Sequence, residues 1–171
     1  ALDRGQMARA VEAILAARHI YIVGVRSSAA LAAYLNFYFR NLFDNVRLVS
    51  STATSEMFEQ MLRVGAGDVV LGISLPRYSG RTVKVMQYAH DRQATVLAIT
   101  DKPDAPAGKF SDHVLVAKSG MVSVVDSLVA AMSVINALVV SIGRSQERLL
   151  TQTFENLEHI WDEYDVYERV Q

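Results

Sequence analysis

Two short stretches gather hydroxyls, arginines and glycines in a pattern suited to an anion. The first is Ser74-Leu-Pro-Arg-Tyr-Ser-Gly-Arg-Thr82, directly after the apolar run Val69–Ile73. Its end, Ser79-Gly-Arg-Thr82, leads into Val83, Val85, Met86 and Ala89, whose spacing is helical. The order is therefore strand, hydroxyl-rich loop, helix N-terminus. Free N–H groups of a first helical turn point at an anion there, and the helix macrodipole favours negative charge. Serine and threonine hydroxyls add donors without bulk. The second stretch is Gly24-Val-Arg-Ser-Ser28, which ends the apolar run Ile20–Val25 and precedes another helical pattern. A plainer alternative is that Ser79 is an N-cap and the rest an ordinary loop.

Residues able to move a proton are harder to place. The histidines are His19, His90, His113 and His159. His19 and His113 precede strands and belong at the sheet end away from these loops. His90 falls near a helix end, and His159 lies off the apolar stripe of the last helix. Among the acids, Glu56 starts a helix, where negative charge is favoured in any case, and Glu59 follows one turn later. Asp101 follows a strand and reads as a turn cap. Glu56 is the least implausible general base. No serine triad, metal cluster, Walker loop or dinucleotide fingerprint is present. We therefore expect no cofactor and no metal.

The elements that must hold the two loops follow from periodicity. Helices are expected over 2–17, 29–43, 54–64 and 81–91, with Met7, Ala10, Val11, Ile14 and Leu15 inward in the first and Met57, Met61 and Leu62 in the third. Strands are expected over 20–25, 45–49, 69–73, 94–100 and 113–117. Gly65-Ala-Gly67 ends the third helix, and Asp101-Lys-Pro-Asp-Ala-Pro106 is a turn-rich loop. Alternating strands and helices predict an α/β fold: a three-layer sandwich around a five-stranded parallel sheet. The commonest order for such a chain is 2-1-3-4-5. Its ligand crevice then lies beyond the C-terminal ends of strands 1 and 3, where both hydroxyl loops converge.

With 171 residues and no linker or repeat, the chain reads as one domain, residues 1–171. A net charge of −1 and a pI of about 6.5 give no basic patch for nucleic acid. Without cysteine there is no disulfide and no thiolate metal site, which fits a reducing compartment. Ala1-Leu-Asp-Arg-Gly5 shows no signal-peptide pattern, and a cytoplasmic location is expected. It also lacks an initiator Met, so the chain reads as a fragment. From Val122 to Ile142 the sequence is almost wholly apolar, but Asp126, Ser133 and Asn136 interrupt it, so a buried or interface helix is expected rather than a membrane span. The tail, 149–171, holds six acidic residues and one basic, with Leu150, Phe154, Leu157, Trp161 and Tyr164 at helical spacing. It is an amphipathic helix packed on its own domain or swapped at a dimer interface.

Gly24-x-x-Ser-Ser28, the Asp68–Ser74 strand and Ser79-Gly-x-Thr82 resemble a sugar isomerase (SIS) domain along the whole chain. Gly67-Asp-Val-Val, Ile73-Ser-Leu-Pro-Arg-Tyr-Ser79 and Ala98-Ile-Thr-Asp101 are most similar to the C-terminal effector domain of RpiR-type transcription regulators. Residues 1–18 resemble the linker helix that precedes that domain.

The resemblance implies phosphosugar binding by Ser27, Ser28, Ser74, Ser79 and Thr82, with Gly80 as a close-approach glycine. Arg77 joins this set, and Arg26 either reaches the phosphate or is solvated. Two departures stand out: Arg26 replaces the second glycine of Gly-x-Gly-x-Ser, and a larger loop, Leu75–Tyr78, separates Ser74 from Ser79. Two function classes result. One is a non-catalytic phosphosugar sensor signalling through a homodimer or homotetramer. The other is a phosphosugar aldose–ketose isomerase using Glu56 or a neighbouring subunit's histidine. A bare dimerisation module is a distant third. In the sensor reading, DNA is reached only through a helix-turn-helix domain absent from this sequence.

Overall fold

Five parallel strands and six α-helices alternate along the chain in a computed structural model that describes residues 3–118 and 127–168. The elements are α1 (Arg4–Leu15), β1 (Ile20–Val23), α2 (Ser27–Leu42), β2 (Val46–Val49), α3 (Thr54–Gln60) and β3 (Val69–Ile73). Then come α4 (Gly80–Asp91), β4 (Thr95–Thr100), β5 (His113–Val116), α5 (Val129–Ser145) and α6 (Glu147–Glu163). The sheet order is β2-β1-β3-β4-β5, as expected, and every pairing is parallel.

Period-two alternation splits the strands between two cores. Ile20, Ile22, Leu71, Ile73 and Leu97 face α1, α2 and α5. Tyr21, Val23, Val70, Val96 and Ala98 face α3 and α4. With both faces covered, all five residues of β3 are buried, which explains why it reads as a continuous apolar run.

The differences from expectation have local causes. β1 ends at Val23 because the chain turns through Arg26 at φ 57°, and α2 starts at once on Ser27. α3 is shorter than expected: it stops at Gln60, and Met61 and Val64 fill the core from the turns that follow. Leu62, expected inward, is 62% exposed. Residues 122–126 of the apolar run lie outside the described residues. α5 buries Val134, Ile135, Leu138 and Ile142 and leaves Val129 and Val140 exposed. α6 turns away from α5 by 102° and has no fully buried residue. Among the described residues no single helix is long and apolar enough to cross a membrane.

At the N-terminal end of the sheet a buried carboxylate ties three segments together. Asp68, fully buried, accepts from Arg18 Nε at 3.0 Å and Nη2 at 2.9 Å, lies 3.1 Å from His19 Nδ1, and accepts from the Gly65 N–H at 2.9 Å. Burial pushes its pKa up. Hydrogen bonds from Arg18, Gly65 and His19, with the Arg18 charge, outweigh burial and hold it below the usual carboxylate value.

Candidate functional site

At the other end of the sheet, where β1 and β3 diverge, lies a cavity of about 310 Å³. Two helix N-termini converge on it. α2 supplies Ser27 and Ser28, the approach to α4 supplies Ser74 and Ser79, and the first turn of α4 supplies Thr82. A Cβ on Gly24 would lie 2.6 Å from the Ser28 carbonyl oxygen, so only glycine lets α2 start this close to β1.

The hydroxyls differ in a telling way. Ser27 is exposed and Ser79 half-buried, whereas Ser74 and Thr82 are 3% and 0% exposed. Neither Ser74 Oγ nor Thr82 Oγ1 has a hydrogen-bond partner among the described residues. A buried hydroxyl without a partner costs about 1–3 kcal/mol, so two in one cavity wall call for a shared polar guest. Ser79 occupies the N-cap position of α4, but its hydroxyl makes no capping bond. The capping alternative therefore loses its main support.

Arg26 and Arg77 also line the cavity, both exposed and both at positive φ, 57° and 62°. Such backbone costs an arginine about 1–3 kcal/mol and is found where the surroundings impose it. Arg26 thus stands where a glycine would be at ease, and it lines the cavity alongside the residues the pattern singled out. Gly80 heads α4 but does not line the cavity, and a Cβ there would meet open space within 4 Å.

No acid or histidine lines the cavity among the described residues. Glu56 lies in the first turn of α3, outside the lining, and its carboxylate accepts from the Ser51 hydroxyl. His19 sits at the far end of the sheet, next to Asp68. His113 opens β5 at that same end, and His90 lies in the last turn of α4. The described wall is cationic and rich in donors, which matches an oxyanion. Group chemistry beside the cavity follows suit. Tyr78 donates to Asp101 Oδ1 at 2.7 Å, and burial with that carboxylate pushes its pKa up to about 12, so it stays a donor near neutrality. Neither this bond nor the φ of 57° at Arg26 has a signature in residue type.

The family model of the SIS domain matches residues 13–141. Among curated proteins, an uncharacterized HTH-type transcriptional regulator of Haemophilus influenzae is 28% identical over 115 residues. The alignment takes in 67% of this chain but only 39% of that regulator's length. Among solved structures, the sugar isomerase domain of an RpiR transcription factor from Sphaerobacter thermophilus is 26% identical. It superposes with a TM-score of 0.86 over 92% of this chain and 88% of its own. The Vibrio vulnificus NanR protein, complexed with ManNAc-6P, is 20% identical, with a TM-score of 0.81 over 95% of this chain and 62% of that one; it shares the fold.

Proposed function

The chain belongs to the SIS-domain family, and from that premise we propose that it is the phosphosugar-sensing domain of an RpiR-type transcription regulator and that it binds its ligand without converting it. The observation that carries this reading is the pair of buried hydroxyls, Ser74 and Thr82, unpaired among the described residues and facing a cavity that two arginines line and, among those residues, no acid. In this reading Ser27, Ser28, Ser74, Ser79 and Thr82 hold the phosphate, and Arg77 and Arg26 neutralise it. NanR, similar in fold, was solved with a phosphorylated amino sugar, which supports the ligand class. DNA reading belongs to a helix-turn-helix region outside these 171 residues, and such a regulator works in the cytoplasm.

An isomerase would need a base beside the sugar. The test is NMR of aldose and ketose 6-phosphates incubated with the protein. We expect binding with no interconversion. Catalytic interconversion lost in Glu56→Gln would establish the isomerase instead.

Signalling through an oligomer completes the proposal. The surface measures 10197 Å², against roughly 8,300 Å² for a compact 18.9 kDa monomer. The excess, about 1,900 Å², is more than twice the roughly 800 Å² each partner loses in a standard interface. Phe37, Val140 and Phe154 are 64%, 54% and 47% exposed around an apolar groove of about 760 Å³ between α2, α5 and α6. Light scattering at micromolar concentration should show a dimer or tetramer; a clean monomer would refute this part.

A further inference from the structure

The loop between Ser74 and Ser79 is fastened at one end to β4 and at the other to Asp101, the residue that follows it. The Ser74 N–H donates to the Ile99 carbonyl at 3.0 Å. Four residues on, the Tyr78 hydroxyl donates to Asp101 Oδ1 at 2.7 Å. Asp101 is held in turn by the hydroxyl of buried Thr100, 3.3 Å away. Leu75, 7% exposed, sinks into the core between these anchors. Arg77 alone is left exposed, and it is the residue at φ 62°.

Arginine keeps a left-handed backbone only where its neighbours over-determine it. Its sequence neighbours here are Pro76, which has no N–H to anchor with, and Tyr78, which is tied to Asp101. Releasing Tyr78 would let residue 77 relax to an ordinary backbone and swing its side chain off the cavity that it lines. We infer that Tyr78 is a positioning residue: its hydrogen bond to Asp101 holds Arg77 in the left-handed conformation at the cavity rim and so completes the cationic wall. This rests on reading the cavity as a phosphate site. It adds that arginine placement depends on a tyrosine that does not itself line the cavity.

The test is an NMR titration with inorganic phosphate, using the parent, Tyr78→Phe, Arg77→Ala and the double variant. Tyr78→Phe should weaken phosphate binding roughly three- to tenfold, and Arg77→Ala about tenfold. The double variant should bind no more weakly than Arg77→Ala alone, because Tyr78 acts only through Arg77. Asp101→Asn, which keeps an acceptor oxygen, should bind close to the parent, whereas Asp101→Ala should mimic Tyr78→Phe. A Tyr78→Phe loss that adds in full to that of Arg77→Ala would overturn the inference, as would no loss at all. Amide exchange at Leu75, Arg77 and Tyr78, read without ligand, separates the two claims. If the parent binds no phosphate, the phosphate reading falls. Faster exchange in Tyr78→Phe then upholds the latch, and unchanged exchange overturns it.

Discussion

Thr82→Val is expected to stabilise the unliganded protein and to abolish most of its phosphosugar binding. The two effects have opposite signs because one hydroxyl causes both. Thr82 Oγ1 is fully buried and unpaired among the described residues. Valine keeps its shape and removes the unsatisfied oxygen, a gain of about 1–2 kcal/mol, or roughly 2–8 °C in Tm for a domain of this size. The same change removes a hydrogen bond to a charged oxygen, about 1.5–3 kcal/mol of binding, or roughly ten- to hundredfold in Kd. Ser74→Ala should share the binding loss with a smaller gain in stability, because alanine leaves a small void. Ser79→Ala should leave the unliganded protein nearly unchanged, since its hydroxyl caps nothing. Calorimetric unfolding and calorimetric titration on the same samples decide the matter. A Thr82→Val protein that is less stable than the parent would mean that the hydroxyl has a protein partner after all.

Asp68→Ala is expected to be strongly destabilising although it lies far from the cavity. It removes the acceptor of Arg18, His19 and the Gly65 N–H together. Breaking a buried pair costs about 3–5 kcal/mol when a charge is stranded. Here the Arg18 side chain is 55% exposed and can rehydrate, so we expect about 2–3 kcal/mol, a fall of roughly 5–10 °C in Tm. The pH dependence has a definite sign. Asp68 titrates lower in the folded protein than in the unfolded chain. Its contribution is therefore fully present above the unfolded value of about 4 and is lost as pH falls below that, through the folded pKa. Urea unfolding at pH 5 and pH 3 should show this loss in the parent and a smaller one in Asp68→Asn. Equal losses would show that the cluster does not set the acid limit. Phosphosugar binding near neutrality should survive Asp68→Asn, because Asp68 belongs to the opposite end of the sheet.

What the sequence made legible was whatever has a short period. Apolar runs marked the strands, three- and four-residue spacing marked the helices, and their alternation led to the sheet order. That order in turn pointed Gly24–Ser28 and Ser74–Thr82 at one crevice, where the cavity lies. Long-range pairings carry no such signature. Arg18 and Asp68 meet across 50 residues, and Tyr78 and Asp101 across 23. The positive φ of Arg26 and Arg77 was equally hidden, since neither is a residue type that favours it. Leu62 fitted the helical spacing but lies in a turn after α3 has ended. The acidic tail, expected as an amphipathic helix over 149–171, is helical in α6 only as far as Glu163, and its apolar stripe finds only partial cover on α2 and α5. A stripe in sequence says that something must cover it and nothing about what does.

The most direct test of the central claim is calorimetric titration with a panel of hexose and N-acetylhexosamine 6-phosphates. The panel should include ManNAc-6P, and the samples should be the parent and the Ser74→Ala/Thr82→Val double variant. The account predicts that at least one phosphosugar binds the parent, that its unphosphorylated sugar does not, and that the double variant loses the heat signal while remaining folded. Equal binding of a phosphosugar to parent and double variant, or no binding by any member of the panel, would contradict it.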